Sequence, residues 1–260
     1  MRLVTLACSN TEIVSALGCG DWIVGCDDHS DYPPEVVAKV QRVGPDLTPS
    51  MEKIAALQPD LVLASLTVPG HEKVVEGLDE AGLPYLVFEP TRLEHVYENI
   101  HEVAAALGVQ ERGRKVVEKM RSDLEIAPPQ FDSPPPRIAV QWWPKPVILP
   151  GRQSWVHELI ERAGGLNLLG DEEVKSRPVT DEELSELEPD AIVLAWCGVK
   201  VEKYRPDVVY GNPTWQNVPA LLNRCVFPVA ETYLGRPSPL LVEGLHALRR
   251  VVQETVSSQT

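Results

Sequence analysis

The chain has 260 residues, 43% of them hydrophobic, and its 24 Lys and Arg against 38 Asp and Glu give a net charge of −14 at pH 7. That balance excludes functions that need a basic face, such as binding nucleic acid or an anionic membrane surface. No stretch reaches the roughly 20 apolar residues of a membrane span, and the length suits two domains of about 120 residues with ordinary cores.

Taken in order, residues 3–7 read as a first strand, and Ser9-Asn-Thr-Glu12 has the form of a capping box opening a helix through Leu17. A second strand at 23–27 leads into His29-Ser30-Asp31-Tyr32-Pro33-Pro34, too proline-rich for either regular element. Then comes Glu52-Lys-Ile-Ala-Ala-Leu57-Gln-Pro59-Asp60-Leu-Val-Leu-Ala64, which returns 130 positions later as Glu182-Glu-Leu-Ser-Glu-Leu187-Glu-Pro189-Asp190-Ala-Ile-Val-Leu194. Each copy spells a short helix, a Pro-Asp turn that stops it, and an apolar run fit for a strand buried on both faces. A helix over 71–81 and a strand over 85–89 complete a β-α-β-α-β order, that of a parallel sheet.

Two helices follow. Leu93, Val96, Ile100, Val103 and Leu107 recur at helical spacing, so the first has an apolar face directed at the first sheet. The second, over 109–126, is charged on most sides with a narrow stripe of Val116, Val117, Met120 and Leu124. Its length of about 27 Å at 1.5 Å per residue suits a strut between lobes. Pro128 and Pro129 end it, and three prolines at 134–136 stiffen the approach to the next strand.

The second half repeats the plan: a strand over 137–142, a loop over 143–146, a helix over 154–163 closed by Gly164-Gly165, and the second copy of the repeat with a strand over 191–196. An irregular stretch over 197–213, a helix near 215–222, a strand over 226–230 and a closing helix with Leu241, Leu245, Leu248 and Val252 on one side finish it. The expected fold class is α/β: two Rossmann-like lobes with parallel sheets joined by one long backbone helix. The expected boundaries are an N-terminal lobe at 1–108, the helix at 109–127 and a C-terminal lobe at 128–260.

The five cysteines, Cys8, Cys19, Cys26, Cys197 and Cys225, are scattered, odd in number and without a CxxC pair, which reads as buried reduced thiols and favours a reducing compartment. Residues 1–7 lack the apolar core and cleavage site of a signal peptide, so the expectation is a cytoplasmic protein or a chain beginning at a mature end.

Ligands of open parallel sheets bind beyond the carboxyl ends of the strands. The residues falling there include His29, Tyr32, Ser65, Trp142, Trp143, Trp196, Tyr233 and Arg236, which makes the expected site an aromatic one. No GxSxG, P-loop, GxGxxG, HExxH or paired-histidine motif is present, so no catalytic residue is assigned and no catalytic cofactor is expected. His29 is open to three readings: a structural group, a ligand to the metal centre of a bound cofactor, or a pH-sensitive contact. Arg236, held between Gly235 and Pro237, is suited either to fork onto a carboxylate, amide or phosphate or to a surface ion pair. Glu52 and Glu182 sit at helix starts, where the dipole favours them; their equivalence in the repeat also makes them a matched acidic pair for a two-fold symmetric partner.

Several segments resemble one family: Leu3-Val-Thr-Leu, Asn10-Thr-Glu-Ile, Ala16-Leu-Gly18, Val24-Gly25, Ser30-Asp-Tyr-Pro-Pro34, the Glu52 unit, Val179-Thr-Asp-Glu182 with Pro189-Asp190, and Arg236-Pro-Ser-Pro239. Together they are similar to the cobalamin-binding branch of the helical-backbone substrate-binding proteins of ABC importers, a group that also receives haem and iron–siderophore complexes. The resemblance implies two lobes on a rigid helix, a cleft that barely closes, a periplasmic or cell-surface location, and a glutamate on each lobe gripping arginines of a permease dimer. By that resemblance Tyr32 stacks on the corrin ring, Trp142 packs from the other lobe, Arg236 reaches the corrin amides, and Glu52 and Glu182 dock the transporter. Where the family pattern has tryptophans, this chain has Asp46, Ser65 and Val179, which leaves Trp143, Trp196 and Tyr233 to supply that packing. The expected function is capture of a corrinoid for an importer, with no enzymatic activity. The alternatives are a haem or ferric-siderophore protein of the same fold and a cytoplasmic corrinoid carrier.

Overall fold

The structure, a computed structural model, describes residues 1–131 and 133–259, and the chain divides into two compact units. The first comprises Met1–Pro90 and Glu94–Met120; the second takes Thr91–Leu93 and the chain from Arg121 onward.

The first unit runs β1 (Leu3–Thr5), α1 (Cys8–Ala16), β2 (Ile23–Cys26), α2 (Pro34–Val37), β3 (Gln41–Arg42), α3 (Met51–Ala56), β4 (Leu61–Ser65), α4 (His71–Glu80), β5 (Tyr85–Phe88), α5 (Leu93–Ala106) from its second residue, and α6 (Gln110–Leu124) as far as Met120. Its five strands pair in parallel in the order β3-β2-β1-β4-β5, with Leu3 opposite Leu61 and Val62 opposite Tyr85. The central strands are apolar without alternation because both faces are covered, and Val4, Leu6, Val62 and Ala64 share a core with Ile54 of α3 and with Val74 and Leu78 of α4. The capping box expected at Ser9 is not formed. Leu6 still pairs with Leu63, so β1 turns directly into α1 at Ala7, Ser9 lies inside the helix, and Asn10 Nδ2 donates to the Leu6 and Ala64 carbonyls at 2.8 and 3.1 Å.

The apolar stripe of α5 is buried as its spacing demands, and α6 crosses it where Gly113 comes hard against Ala104. In α6, Val117, Met120 and Leu124 are buried and most of the remaining surface is exposed. Its 15 residues span about 22 Å, shorter than the sequence suggested.

The second unit comprises β6 (Arg137–Gln141), β7 (Trp143–Pro144), β8 (Val147–Pro150), α7 (Trp155–Ala163), β9 (Leu166–Asn167), β10 (Ser176–Val179), α8 (Asp181–Glu186), β11 (Ala191–Leu194), α9 (Pro206–Tyr210), α10 (Pro219–Leu222), β12 (Val226–Pro228), α11 (Glu231–Leu234) and α12 (Leu241–Ser258). A parallel sheet in the order β12-β11-β6-β9 forms its centre. It is not a plain copy of the first unit. The expected loop at 143–146 belongs to a hairpin that joins β10 in an antiparallel sheet of order β10-β8-β7, and the expected irregular stretch contains α9. The helix expected near 215–222 is split into a 3-10 turn at Pro213–Trp215 and α10, because Pro219 cannot donate into a continuous ladder.

The duplicated segment builds the same joint in both units. Ser50 Oγ caps α3 by accepting from Lys53 N–H at 3.2 Å, and Thr180 Oγ1 caps α8 by accepting from Glu183 N–H at 3.1 Å. Each helix is terminated by a left-handed residue, Gln58 at φ 46° and Glu188 at φ 44°, just before the proline. Asp60 and Asp190 then accept the backbone N–H of Arg2 and Arg137 at 2.7 and 2.8 Å, pinning each repeat strand to its neighbour.

Cys19, Cys26 and Cys225 are buried, and burial raises the Cys26 thiol to about 11. Cys197 is exposed and Cys8 half-buried, contrary to the expectation of uniformly buried thiols; Cys197 opens the turn that follows the buried Trp196.

Candidate ligand-binding faces and docking residues

On the first unit, β2 delivers the chain to a loop fixed from beneath. The Asp27 carboxylate is wholly buried and accepts from the N–H of His29 and of Ser30 at 2.8 and 3.0 Å and from the Ser30 hydroxyl at 2.7 Å. Arg42 Nη1 donates to the Asp27 and Ser30 carbonyls, both at 2.6 Å, and a hydroxyl chain through Ser30, Thr11 and Thr5 continues into the core. This buried scaffold lets the next residues stand in solvent: Tyr32 is 43% exposed and His29 is exposed.

His29 is also tied to the loop after β3. Its Nε2 lies 3.5 Å from Asp46 Oδ1, and the buried His71 at the start of α4 places its Nε2 3.6 Å from Asp46 Oδ2. Because His71 Nδ1 accepts from Val68 N–H, its Nε2 carries the proton directed at Asp46. That contact holds the Asp46 carboxyl below the usual carboxylate range against the opposing pull of burial, and His29 adds to the lowering. Ser65, at the end of β4, is buried with its hydroxyl 2.9 Å from that of Thr67, so it shapes the floor of the face.

On the second unit, Trp143 and Tyr233 are exposed at 41% and 36%. Trp142 is half-buried, its ring centroid 6.2 Å from that of Trp155, and among the described residues its indole N–H has no hydrogen-bond partner. Trp155 donates its indole N–H to the Leu234 carbonyl at 2.8 Å, which ties this pair to α11.

Two expected ligand residues lie deeper than the sequence suggested. Trp196 is 7% exposed, donates to Gln141 Oε1 at 2.8 Å and packs on Tyr204 at 5.2 Å, so its ring is part of the core. Arg236 is also 7% exposed and donates from Nε to Glu231 Oε2 at 3.0 Å. Sequence reasoning missed Asp27, Arg42, His71, Trp155 and Glu231, and named Asp46 only as standing where the family pattern has a tryptophan. Only Glu231 had a local signal, an acid five residues before Arg236 across a glycine.

Glu52 and Glu182 occupy the same position in α3 and α8, and both are exposed. Beside Glu182, Arg177 binds Glu172 and Glu183, each at 2.6 Å, and holds both carboxyls below the usual range. That clamp offsets part of the charge of the two neighbouring acids and leaves Glu182 exposed on the first turn of α8.

Both units are built on parallel sheets, and aromatic side chains stand exposed at their strand ends. The chain belongs to the periplasmic binding protein family, whose profile matches residues 3–231, and its α/β architecture is that of the class III members. It is 31% identical over 254 residues to YvrC, an uncharacterised ABC transporter substrate-binding lipoprotein of Bacillus subtilis (strain 168), a match covering 95% of this chain and 78% of that one. It is 27% identical over 247 residues to the vitamin B12-binding protein of Vibrio cholerae, covering 94% and 86% of the two chains. Among solved structures, the apo periplasmic haem-binding protein RhuT of Roseiflexus sp. RS-1 superposes with a TM-score of 0.82 at 25% identity, covering 100% and 99%. No helix of the described residues is long and apolar enough to cross a membrane.

Proposed function

We propose that the chain is the substrate-binding component of an ABC importer and that it captures a corrinoid of the cobalamin type outside the cytoplasm, using aromatic side chains on both units. The observation that carries this reading is the set of large rings, Tyr32, Trp143 and Tyr233, exposed at the strand ends with Trp142 beside them. Exposed rings of that size are costly unless they meet a flat apolar partner, and apolar burial of the corrin faces supplies most of the affinity. His29 and Ser65 border the first-unit face, while Arg236 acts from behind α11 and Trp196 supports Trp142 through the Gln141 end of β6. Similarity to the vitamin B12-binding protein supports the choice of ligand.

Glu52 and Glu182 dock the protein on a permease dimer, each as an exposed acid at a helix start, and the division between the units falls in α6. A second reading, haem in place of the corrinoid, is supported by the likeness to the haem-binding protein. The test is a titration with cyanocobalamin, haemin and a ferric hydroxamate, followed by tryptophan quenching. One-to-one saturation with cyanocobalamin alone is the expected result. A saturable shift of the haemin Soret band with no response to cyanocobalamin would replace the corrinoid by haem.

A further inference from the structure

The imidazole of His71 is nearly closed off from water, its side chain 5% exposed, and it stands where three loops at the strand ends of the first unit come together. In the sheet β3 and β4 are separated by β2 and β1, three strand spacings or about 14 Å, yet the loops that follow them meet. An added Cβ on Gly70 would stand 3.4 Å from Leu47 Cδ2, and Asp46 faces His71. Asp46 also faces His29 on the loop after β2. One carboxylate between two imidazoles thus ties the loops after β2 and β3 to the start of α4, and the Val68 N–H, donating to His71 Nδ1 at 3.4 Å, adds the loop after β4.

The two imidazoles respond differently to a proton. His29 is exposed and meets Asp46 through Nε2, so a proton added at Nδ1 leaves that contact in place and charges it. His71 has both ring nitrogens engaged, Nε2 toward Asp46 and Nδ1 as the acceptor for Val68. Protonation turns that acceptor into a second donor. Two N–H groups then oppose each other, so the Val68 contact opens, while the charge gained is held by the Asp46 carboxylate. Asp46 is the charge that faces His71, His29 lies beyond it, and Glu72, the next residue of α4, accepts from the Gly70 N–H at 2.8 Å. Val68 and Leu47 are each 40% exposed, so the contact controls surface at the ends of the strands where ligands of such sheets bind.

We propose that His71 is a pH-sensitive latch of the first-unit face: when neutral it holds the loop after β4 beside Asp46 and His29, and when protonated it releases that loop and weakens ligand binding. The effect on affinity rests on the reading that this face receives the ligand; the release of Val68 does not.

The test follows the His71 ring nitrogens and the Val68 amide by 15N NMR in the ligand-free protein from about pH 8 to about pH 5. The Val68 amide should move with the same midpoint as the His71 ring, and its protection against hydrogen exchange should fall about tenfold on the acid side. Calorimetry with cyanocobalamin should show affinity about threefold to tenfold weaker at about pH 5 than at about pH 7.5 in the wild type. His71→Asn keeps an acceptor near the place of Nδ1 and takes no proton, so its affinity should change less than about twofold, and thermal melts at both pH values establish that it is folded. A Val68 amide that stays fixed while His71 titrates overturns the inference, as does a His71 ring that stays neutral throughout. So does an affinity that acid leaves unchanged in the wild type or weakens equally in folded His71→Asn. If cyanocobalamin binds at neither pH, the corrinoid reading falls and the Val68 amide still decides the latch.

Discussion

Replacing Asp27 by asparagine removes the charge that holds the loop bearing His29 and Tyr32 while changing almost nothing in shape. The carboxylate is fully buried and accepts three hydrogen bonds, from His29 N–H, Ser30 N–H and the Ser30 hydroxyl. A hydrogen bond to a charged acceptor contributes about 1.5–3 kcal/mol and a neutral one about 1 kcal/mol. Asparagine keeps one acceptor oxygen for the two N–H groups and turns an NH2 toward Ser30 Oγ, whose proton must then point toward Thr11. Two weakened bonds and one reversed bond sum to about 2–4 kcal/mol of lost local stability. Arg42 still donates to the Asp27 and Ser30 carbonyls, so the backbone path persists. Hydrogen exchange at the His29 and Ser30 amides should accelerate by about thirtyfold or more, since 1.4 kcal/mol is a factor of ten. Ligand affinity should fall severalfold, because the loop must then be ordered on binding. Wild-type exchange and affinity in a folded variant would refute the argument that Asp27 positions this loop.

The double charge reversal Glu52→Arg with Glu182→Arg should abolish capture by a detergent-solubilised permease and vitamin uptake in cells while ligand affinity stays within about twofold; uptake that survives removes the docking assignment. Gly244→Ala should displace α11, because a Cβ there collides with the Tyr233 carbonyl oxygen. The expected cost is about 1–3 kcal/mol in a thermal or urea melt, with weaker ligand binding through Tyr233 and Arg236, and a melt like that of the wild type would contradict the packing described. Asp46 has a carboxyl held below its unfolded value by His71, so its contribution to stability is complete above the ordinary carboxylate range and is lost as pH falls through the depressed value. Asp46→Asn should therefore lower the urea midpoint at neutral pH and flatten its decline below about pH 4; parallel acid limbs for the two proteins would contradict this.

Much of the architecture is legible locally. The run Leu61–Ser65 is apolar without alternation and forms a strand with those bounds, and the repeat announces a joint that both units build with the same caps and the same left-handed turn. The antiparallel sheet was not legible. Its strands are two to four residues long and carry Pro144, Pro150 and Pro178, residues that in isolation signal loops. Placing Trp196 among the ligand residues followed from its position after a strand, yet the ring is covered by Tyr204, which comes from a stretch with no periodic pattern. The Asp27 and Arg42 scaffold depends on a sheet edge of only two residues, and the contact of Asp46 with His71 joins a loop to a helix start 25 positions on in sequence. Such partners are set by tertiary packing, so local patterning gave no sign of them.

The central claim is that rings on both units receive a corrinoid. Calorimetric titration of cyanocobalamin into the wild type and into Tyr32→Ala and Trp142→Ala tests it most directly. The account predicts saturable one-to-one binding weakened at least tenfold by either substitution, each worth about 1.4 kcal/mol or more. Binding to the wild type that neither substitution changes, or no binding at all, would contradict it.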